Sequence, residues 1–145
     1  MEQIRVKKLR PAAKLPTYGS SEAAGADLYA CLDADVMIAP GASAFIPTGL
    51  AMEIPKGCAG LIYARSGLAC KRGLAPANKV GVIDSDYRGE FIVVLHNHGN
   101  EVQTVSNGER IAQLVITPVI TPGFVAVYEL SDTERAAGGF GSTGK

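Results

Sequence analysis

The sequence lacks a net charge, closely spaced cysteines and any long apolar segment. Fourteen basic residues balance fourteen acidic ones, which argues against a broad surface for nucleic acid or membrane, because such a surface needs net positive charge. Its three cysteines form no CxxC pair, and an odd number of them suits reduced thiols in a cytoplasmic compartment. Residues 1–11 contain no long apolar run, so neither a signal peptide nor a transmembrane helix is expected.

What the chain does contain is typical of many short strands. With 145 residues, 47% of them hydrophobic, it fits one folded domain, and 17 glycines and 8 prolines favour turns over helices. Apolar or alternating segments predict strands at residues 4–9, 26–32, 36–38, 44–54, 59–64, 75–83, 91–98, 102–105, 111–116 and 124–130. Residues 66–71 are predicted to form a short helix with Ser66 as its N-cap. We therefore expect an all-β fold, a sandwich or barrel of jelly-roll type.

The predicted strand at residues 91–98 has two unusual parts. Residues 91–95 are unbroken apolar, whereas a strand with one solvated face alternates. A small domain can seldom cover both faces of a strand, so we expect this one to contact another subunit. His96 and His98 alternate at its end; they are candidates for metal binding, but a structural role is favoured because no third ligand is near them in the sequence.

Residues 81–90, GVIDSDYRGE, are the most informative segment. Asp84 and Asp86 lie two apart between apolar stretches. Aspartate is depleted in strand interiors, and an unpaired buried carboxylate is costly. The segment therefore predicts a turn that carries a positioned charge, with an ordinary β-hairpin as the alternative, since Asp, Ser and Gly are common turn residues.

Polar residues also interrupt other apolar or small-residue segments. AGADLYA carries Asp27, ARSGLA carries Arg65 and Ser66 at the predicted helix start, and GERIAQLVI carries Gln113. Backbone N–H groups at a helix start favour an anion. Singly, these residues are equally well explained as a turn cap, a surface ion pair and a solvent-facing amide, and the Gly-rich tail at 135–145 as a disordered terminus. Together they are typical of a site for a metal-bound polyphosphate that carries a planar base.

Taken in their order along the chain, these five segments resemble the motifs of the trimeric dUTP pyrophosphatase (dUTPase) family. IDSDYRGE is the most specific of them. The resemblance implies hydrolysis of dUTP to dUMP and pyrophosphate with Mg²⁺, which lowers dUTP and supplies dUMP for thymidylate synthesis. It implies a homotrimer whose active sites lie between subunits, with no nucleic-acid or membrane partner. It further implies a β domain over residues 1–131 and a flexible arm over residues 132–145 that closes over the site.

The resemblance also implies individual roles. Asp84 corresponds to the general base that activates the water attacking the α-phosphorus. Tyr87 corresponds to the ring under the deoxyribose, where it excludes a 2′-hydroxyl, and Asn78 to the residue that reads uracil. Asp27 corresponds to the residue that holds the Mg²⁺ shell through water. The remaining substrate-binding residues that it implies are Arg65, Ser66, Gly67, Gln113, Arg135, Phe140, Gly141 and Ser142.

Two positions depart from the family pattern. Ala136 follows the arginine of the arm where glycine is usual, which would weaken arm closure if that position needs a positive φ. Ala64 precedes Arg65 where glycine or proline is usual, and little effect is expected there.

Two rival functions follow from the same residues. A dCTP deaminase would share the fold and the phosphate contacts, but Tyr87 within IDSDYRGE and the GGFGSTG arm favour a dUTPase. A non-catalytic nucleotide-binding protein would keep the pocket without needing the base, Asp84.

Overall fold

The computed structural model describes residues 3–140, which form short antiparallel strands and one helix. The strands are β1 Val6–Lys8, β2 Thr17–Tyr18, β3 Ala26–Tyr29, β4 Val36–Ile38, β5 Ser43–Pro47, β6 Leu50–Met52, β7 Cys58–Tyr63, β8 Leu74–Pro76, β9 Gly81–Ile83, β10 Ile92–Asn97, β11 Gln103–Val105 and β12 Arg110–Pro118. The helix is α1, Ser66–Arg72. Within residues 3–140, no helix has the length and apolar character needed to cross a membrane.

Two larger sheets enclose the core. The first has five strands in the order β2-β3-β12-β7-β9, and the second has three in the order β5-β10-β8. Two-stranded pairs, β1-β6 and β11-β4, flank them. Leu28 and Leu114 of the first sheet lie in one buried cluster with Ile46 and Leu95 of the second. Because successive side chains on a strand face opposite ways, the neighbours Asp27 and Gln113 point away from this core.

The apolar run at residues 91–95 alternates in the structure after all. Phe91, Val93 and Leu95 are buried in the core. The intervening side chains face outward, where Ile92 is 41% exposed. Together with exposed residues of β5 and β9 they form a surface that we call the outer apolar face: Phe45, Val82, Ile92 and Val94. The unbroken run therefore has one face in the core and one on this surface.

The segment GVIDSDYRGE is not a hairpin. Strand β9, formed by the first three residues of the segment, pairs with β7, whereas β10, which follows the segment, pairs with β5 and β8. The segment therefore carries the chain from the five-stranded sheet to the three-stranded sheet. The hairpin interpretation was wrong because adjacency in sequence does not show which sheet a strand joins.

Other strand predictions need correction. The single strand predicted at 44–54 is two, β5 and β6, separated at Gly49, whose φ of 70° breaks the extended backbone. The strand predicted at 75–83 is likewise two, β8 and β9, separated by a turn at Lys79 with φ 65°. A two-residue strand, β2, lies between the first two predicted strands, where no strand was predicted.

The strand predicted at residues 124–130 is wrong for this chain. These residues are exposed and take no regular structure. Strand β12 ends at Pro118, and Pro122 also lacks an N–H, so the backbone is interrupted twice before the segment begins. Its apolar pattern suits a strand, but in this chain no strand pairs with it.

Helix α1 is present as predicted and ends one residue later, at Arg72. Ser66 is not its N-cap. Arg65 holds that position, with extended backbone angles and no side-chain hydrogen bond to the helix. Ser66 is the first helical residue, so its hydroxyl is not used in capping the helix.

Candidate active site

Three strands of the five-stranded sheet bring separate motifs to the same level. Gln113 on β12 pairs with Asp27 on β3 and with Tyr63 on β7. The chain leaves β7 at Tyr63 and reaches Arg65 two residues later. Segments far apart in the sequence therefore meet at one end of this sheet. They line a groove of about 330 Å³ formed by Gly19, Ala23, Gly25, Asp27, Arg65, Ser66, Gly67, Arg110 and Gln113, which we call the phosphate groove.

Asp27 is the electrostatic centre of the phosphate groove. Its Oδ1 accepts a hydrogen bond from Arg65 Nε at 2.7 Å, and its Oδ2 accepts one from Arg110 Nη1 at 3.2 Å. The Asp27 side chain is only 13% exposed, so solvent screens these ion pairs less than at an open surface. One carboxylate thus orients two guanidinium groups, and the groove keeps one excess positive charge suited to an anion.

Gln113 connects the strands of the phosphate groove to its helix. Its Nε2 donates to the carbonyl oxygen of Ala64 at 2.8 Å, directly before Arg65. A Cβ at Gly25 would lie 2.4 Å from Gln113 Oε1, so the side chain needs a glycine at this position. The solvent-facing alternative for Gln113 is excluded, since the amide is held between two motifs.

The structure adds Arg110 to the residues identified from the sequence. In a regular strand, residues three apart point to opposite faces. The register of β12 shifts between Arg110 and Ala112, and an irregularity of this kind re-aims a side chain, so Arg110 and Gln113 line the same groove. Alternation alone could not reveal this; the available signal was the presence of Arg110 in the same motif as Gln113.

Asp84 and Tyr87 lie elsewhere, in a turn directly after β9. The N–H of Tyr87 donates to the carbonyl oxygen of Asp84 at 3.2 Å. The Tyr87 hydroxyl donates to the carbonyl oxygen of Glu90 at 3.0 Å, and its ring packs so closely over Gly89 that a Cβ there would lie 2.3 Å from the hydroxyl oxygen. The ring is therefore held in place while 43% of the residue stays exposed.

The turn opens onto a groove of about 270 Å³ that also includes the outer apolar face. We call it the β9-side groove. Asn78 lies beside it in the turn between β8 and β9, and its side chain is near Gly81. Both places share Val82 and Ile83 as lining residues. The residues predicted to read the nucleoside are thus grouped together.

The two groups of residues lie at opposite ends of β7. Asp84 follows Ile83, which pairs with Gly60 near the start of β7, whereas Arg65 follows the end of that strand. At about 3.3 Å per residue, Asp84 and Arg65 of one chain are separated by roughly 20 Å. One α-phosphate cannot contact both of them in a single chain.

Residues 135–140 line neither groove. Arg135 Nε donates to the carbonyl oxygen of Gly138 at 2.9 Å, and Phe140 is fully exposed. Ala136 has a φ of 43°, a backbone conformation that favours glycine. Gly141 and Ser142, two of the predicted substrate contacts, lie outside the described residues.

The carboxylates of the chain fit an outer-shell role toward a metal. Within residues 3–140, no three His, Cys, Asp or Glu side chains are grouped as metal ligands. Both oxygens of Asp27 already accept hydrogen bonds from arginine. Mg²⁺ keeps several of its waters and often binds through one or two carboxylates and substrate phosphates, and this arrangement is compatible with Asp27 contacting it through water.

His96 and His98 lie on the three-stranded sheet, away from the phosphate groove. Their ring centroids are 4.5 Å apart, and His96 Nδ1 is 2.8 Å from the Ser43 hydroxyl oxygen. Desolvation lowers the pKa of His98, and the nearby His96 and Lys79 lower it further. A pair of imidazoles without a third ligand among the described residues does not complete a zinc site.

Comparison with known proteins agrees with this geometry. The family model described as dUTPase matches residues 12–144. The chain belongs to the dUTPase family. It is 50% identical to deoxyuridine 5'-triphosphate nucleotidohydrolase of Syntrophotalea carbinolica, over 97% of this chain and 96% of the relative. It is 52% identical to the protein of the same name from Nautilia profundicola, over 99% of each chain.

Solved dUTPase structures show the same fold. A variant of the Staphylococcus bacteriophage 80alpha dUTPase with dUpNHpp superposes with a TM-score of 0.88 and 30% identity, over 100% of both chains. A variant dUTPase from phage phi11 of S. aureus, described for the coordination of a structural Mg(II) ion, gives a TM-score of 0.80 and 26% identity, over 90% of this chain and 100% of that one. The prediction of an all-β dUTPase fold with one short helix is confirmed.

Proposed function

We propose that this chain is a dUTP diphosphatase that hydrolyses dUTP to dUMP and pyrophosphate, and that Asp84 activates the attacking water. The observation that carries the proposal is the phosphate groove, in which three of the family's motifs converge on paired arginines, the Ser66 hydroxyl and an anchored glutamine. Such a set suits a polyphosphate, because the planar fork of arginine matches phosphate oxygens. The reaction keeps dUTP low and supplies dUMP for thymidylate synthesis.

Asp84 acts as general base by position. A carboxylate is a weak base, so its contribution depends on holding a water in line with the α-phosphorus. The turn that fixes the Asp84 backbone supports this role. Tyr87, held over Gly89, packs under the deoxyribose and leaves no room for a 2′-hydroxyl.

The triphosphate binds in the phosphate groove. Arg65 and Arg110 are oriented by Asp27 before substrate arrives, and Gln113 lies at the α-phosphate. The Ser66 hydroxyl donates a hydrogen bond to the bridging oxygen that leaves with pyrophosphate. Mg²⁺ bound to the phosphates would neutralise part of their charge, and Asp27 would contact it through water.

The active form is a homotrimer in which each site combines grooves of different subunits. Three features support this. Asp84 and Arg65 lie at opposite ends of β7. The outer apolar face exposes Phe45 and Val82 by 73% and 64%, and such contiguous apolar surface usually marks an interface. Residues 119–130 extend away from the core with exposed apolar side chains, and residues 132–145 then form an arm over a site.

Pyrophosphate release from dUTP, dTTP, dCTP and UTP, each with Mg²⁺ and with a chelator, tests the activity. We expect release from dUTP alone, because cytosine reverses the hydrogen-bonding pattern at Asn78 and UTP carries the excluded hydroxyl. Ammonia released from dCTP would instead indicate a deaminase of the same fold. Binding of dUTP without release of pyrophosphate would indicate a non-catalytic nucleotide-binding protein.

A further inference from the structure

Helix α1 is too short and too little packed to fix its own orientation. It has seven residues, of which Leu68 is the buried one. Isolated helices shorter than about 12–15 residues are marginal in water, and one buried side chain still permits rotation. The direction of α1, which carries Ser66 and Gly67 at its first turn, must therefore be set by contacts at its ends.

The residues just before α1 hold its first end to the strands. Gln113 donates to the carbonyl oxygen of Ala64, and the N-cap, Arg65, makes no capping side-chain bond but donates to Asp27. The other end has contacts of its own. Gly73 ends the helix in the left-handed conformation, and its carbonyl oxygen accepts a hydrogen bond from the His98 N–H at 2.8 Å. This contact fixes one point at this end, and a second is needed there to fix the rotation of the helix about its axis.

Arg72, the last residue of α1, supplies the second point. Its Nε donates to Gln103 Oε1 at 3.0 Å, its Nη1 to Glu109 Oε1, and its Nη2 to the carbonyl oxygen of Thr104. The side chains of Arg72 and Glu109 are 30% and 26% exposed. One planar guanidinium thus contacts three acceptors on β11 and on the turn before β12, a geometry that a flexible ammonium cannot reproduce.

Glu109 is in turn held by its own neighbours. Its Oε2 accepts the Ser106 N–H at 3.1 Å, and its carbonyl oxygen accepts the Ala30 N–H at 2.8 Å. Ala30 follows β3, the strand of Asp27, and Glu109 directly precedes Arg110. The partner of Arg72 is therefore joined to the strands that carry the rest of the phosphate groove.

We infer that Arg72, acting through Glu109, is a positioning residue for triphosphate binding. The pair keeps Ser66 and Gly67 in place relative to Arg110 and Gln113, although neither member lines the phosphate groove. Ser66 lies about 9 Å along the helix from Arg72 at 1.5 Å per residue, so a small rotation at Arg72 displaces the hydroxyl. A displacement of about 1 Å can cost on the order of 100-fold in rate. The inference rests on the proposed function.

The test compares two ligands on the full-length protein. Calorimetry measures the affinity of dUpNHpp, which carries all three phosphates, and of dUMP, which lacks the two outer ones. For Arg72→Ala and Glu109→Gln we expect dUpNHpp to bind about tenfold more weakly or worse, because its phosphates lose oriented partners. We expect the affinity for dUMP to stay within about twofold, and the KM for dUTP to rise more than kcat falls.

Matched variants separate positioning from general stability. Lys71→Ala removes an exposed cation of the same helix and should leave both affinities unchanged. Arg72→Lys keeps the ion pair with Glu109 and should recover part of the dUpNHpp affinity; it also serves in the comparison if Arg72→Ala does not fold. A lowered melting temperature with both affinities unchanged, or an equal loss of both, overturns the inference. Wild-type protein that releases no pyrophosphate from dUTP overturns the proposed function instead.

Discussion

Asp27 shows how the role of a residue depends on its neighbours. The sequence resemblance assigns it to the hydration shell of Mg²⁺, and the structure adds that both of its oxygens hold arginines. A triphosphate would compete with Asp27 for the same two guanidinium groups. In the proposed complex Asp27 would keep Arg65 and Arg110 oriented until the phosphates replaced it, which would reduce the conformational entropy lost on binding.

The first residue-scale prediction concerns the base. Asp84→Asn keeps the shape of the side chain and removes its ability to accept a proton. We expect pyrophosphate release to be abolished while dUTP still binds, as measured by calorimetry. Asp86→Asn, two residues away in the same turn, is the control and should retain most of the activity. Near-normal turnover by Asp84→Asn would refute the assignment.

The second residue-scale prediction concerns the C-terminal arm, residues 132–145. Ala136 has a φ of 43°, and the left-handed conformation costs a residue with a Cβ about 1 kcal/mol or more. We expect the closed arm to have the same φ at this position. Ala136→Gly then removes the strain of the closed arm, and the KM for dUTP should fall by about two- to fivefold, since 1.4 kcal/mol is a factor of ten.

The control for this prediction is its neighbour. Ala137 is not among the residues with positive φ, so Ala137→Gly adds backbone freedom without relieving strain and should leave KM unchanged or raise it. An equal fall in KM for both variants would show that flexibility, and not the φ of Ala136, limits closure.

At the scale of elements, the structure divides the chain into a packed body and an exposed C-terminal segment. Strand β12 is the last element of the core, and its inner residues Ile111 and Leu114 are buried. After Pro118, residues 119–137 are exposed. The last element to stabilise this chain therefore ends well before the residues that we assign to substrate binding in the arm.

Deletion of residues 135–145 tests this division. We expect a folded protein with an unchanged melting temperature, because none of the removed residues that the structure describes lies in the core. We expect a large loss of pyrophosphate release, because the arm would no longer exclude water from the site. Circular dichroism and size-exclusion chromatography measure the fold and the assembly. A truncated protein that unfolds would make the segment structural.

At the scale of the whole molecule, one chain holds the parts of a site without assembling them. Asp84 and Tyr87 lie on the β9-side groove, and Arg65 and Gln113 lie on the phosphate groove. Rotational symmetry brings different surface patches of identical chains together. A closed ring of three subunits would therefore place one groove of each kind in every site.

Mixing of inactive variants tests this arrangement. Asp84→Asn and Arg65→Ala subunits, each inactive alone, are refolded together, and pyrophosphate release is measured. We expect partial recovery, because some sites then combine an intact Asp84 from one subunit with an intact Arg65 from another. Mixing Asp84→Asn with Tyr87→Ala should give no recovery, since both residues come from the same groove. Absence of recovery in the first mixture would place the whole site in one subunit.

Much of the local structure could be predicted from the residues. Apolar periodicity located most strands, and the motif at residues 64–69 located α1. The pairing of strands could not be predicted in this way: the hairpin alternative for residues 81–90 was wrong, because β9 pairs with β7 whereas β10 pairs with β5 and β8. Such pairings are decided by hydrogen bonds between distant segments, and the residue pattern of one segment does not show which other segment it pairs with.

The sequence by itself determined the all-β class, the family and the residue types of the site, because turn chemistry, periodicity and motif order are local properties. Tertiary structure alone decided that Asp27 holds two arginines, that a register shift turns Arg110 into the phosphate groove, and that Arg72 contacts Gln103. These contacts join residues 31 or more positions apart, and only the folded chain brings such residues within hydrogen-bonding distance.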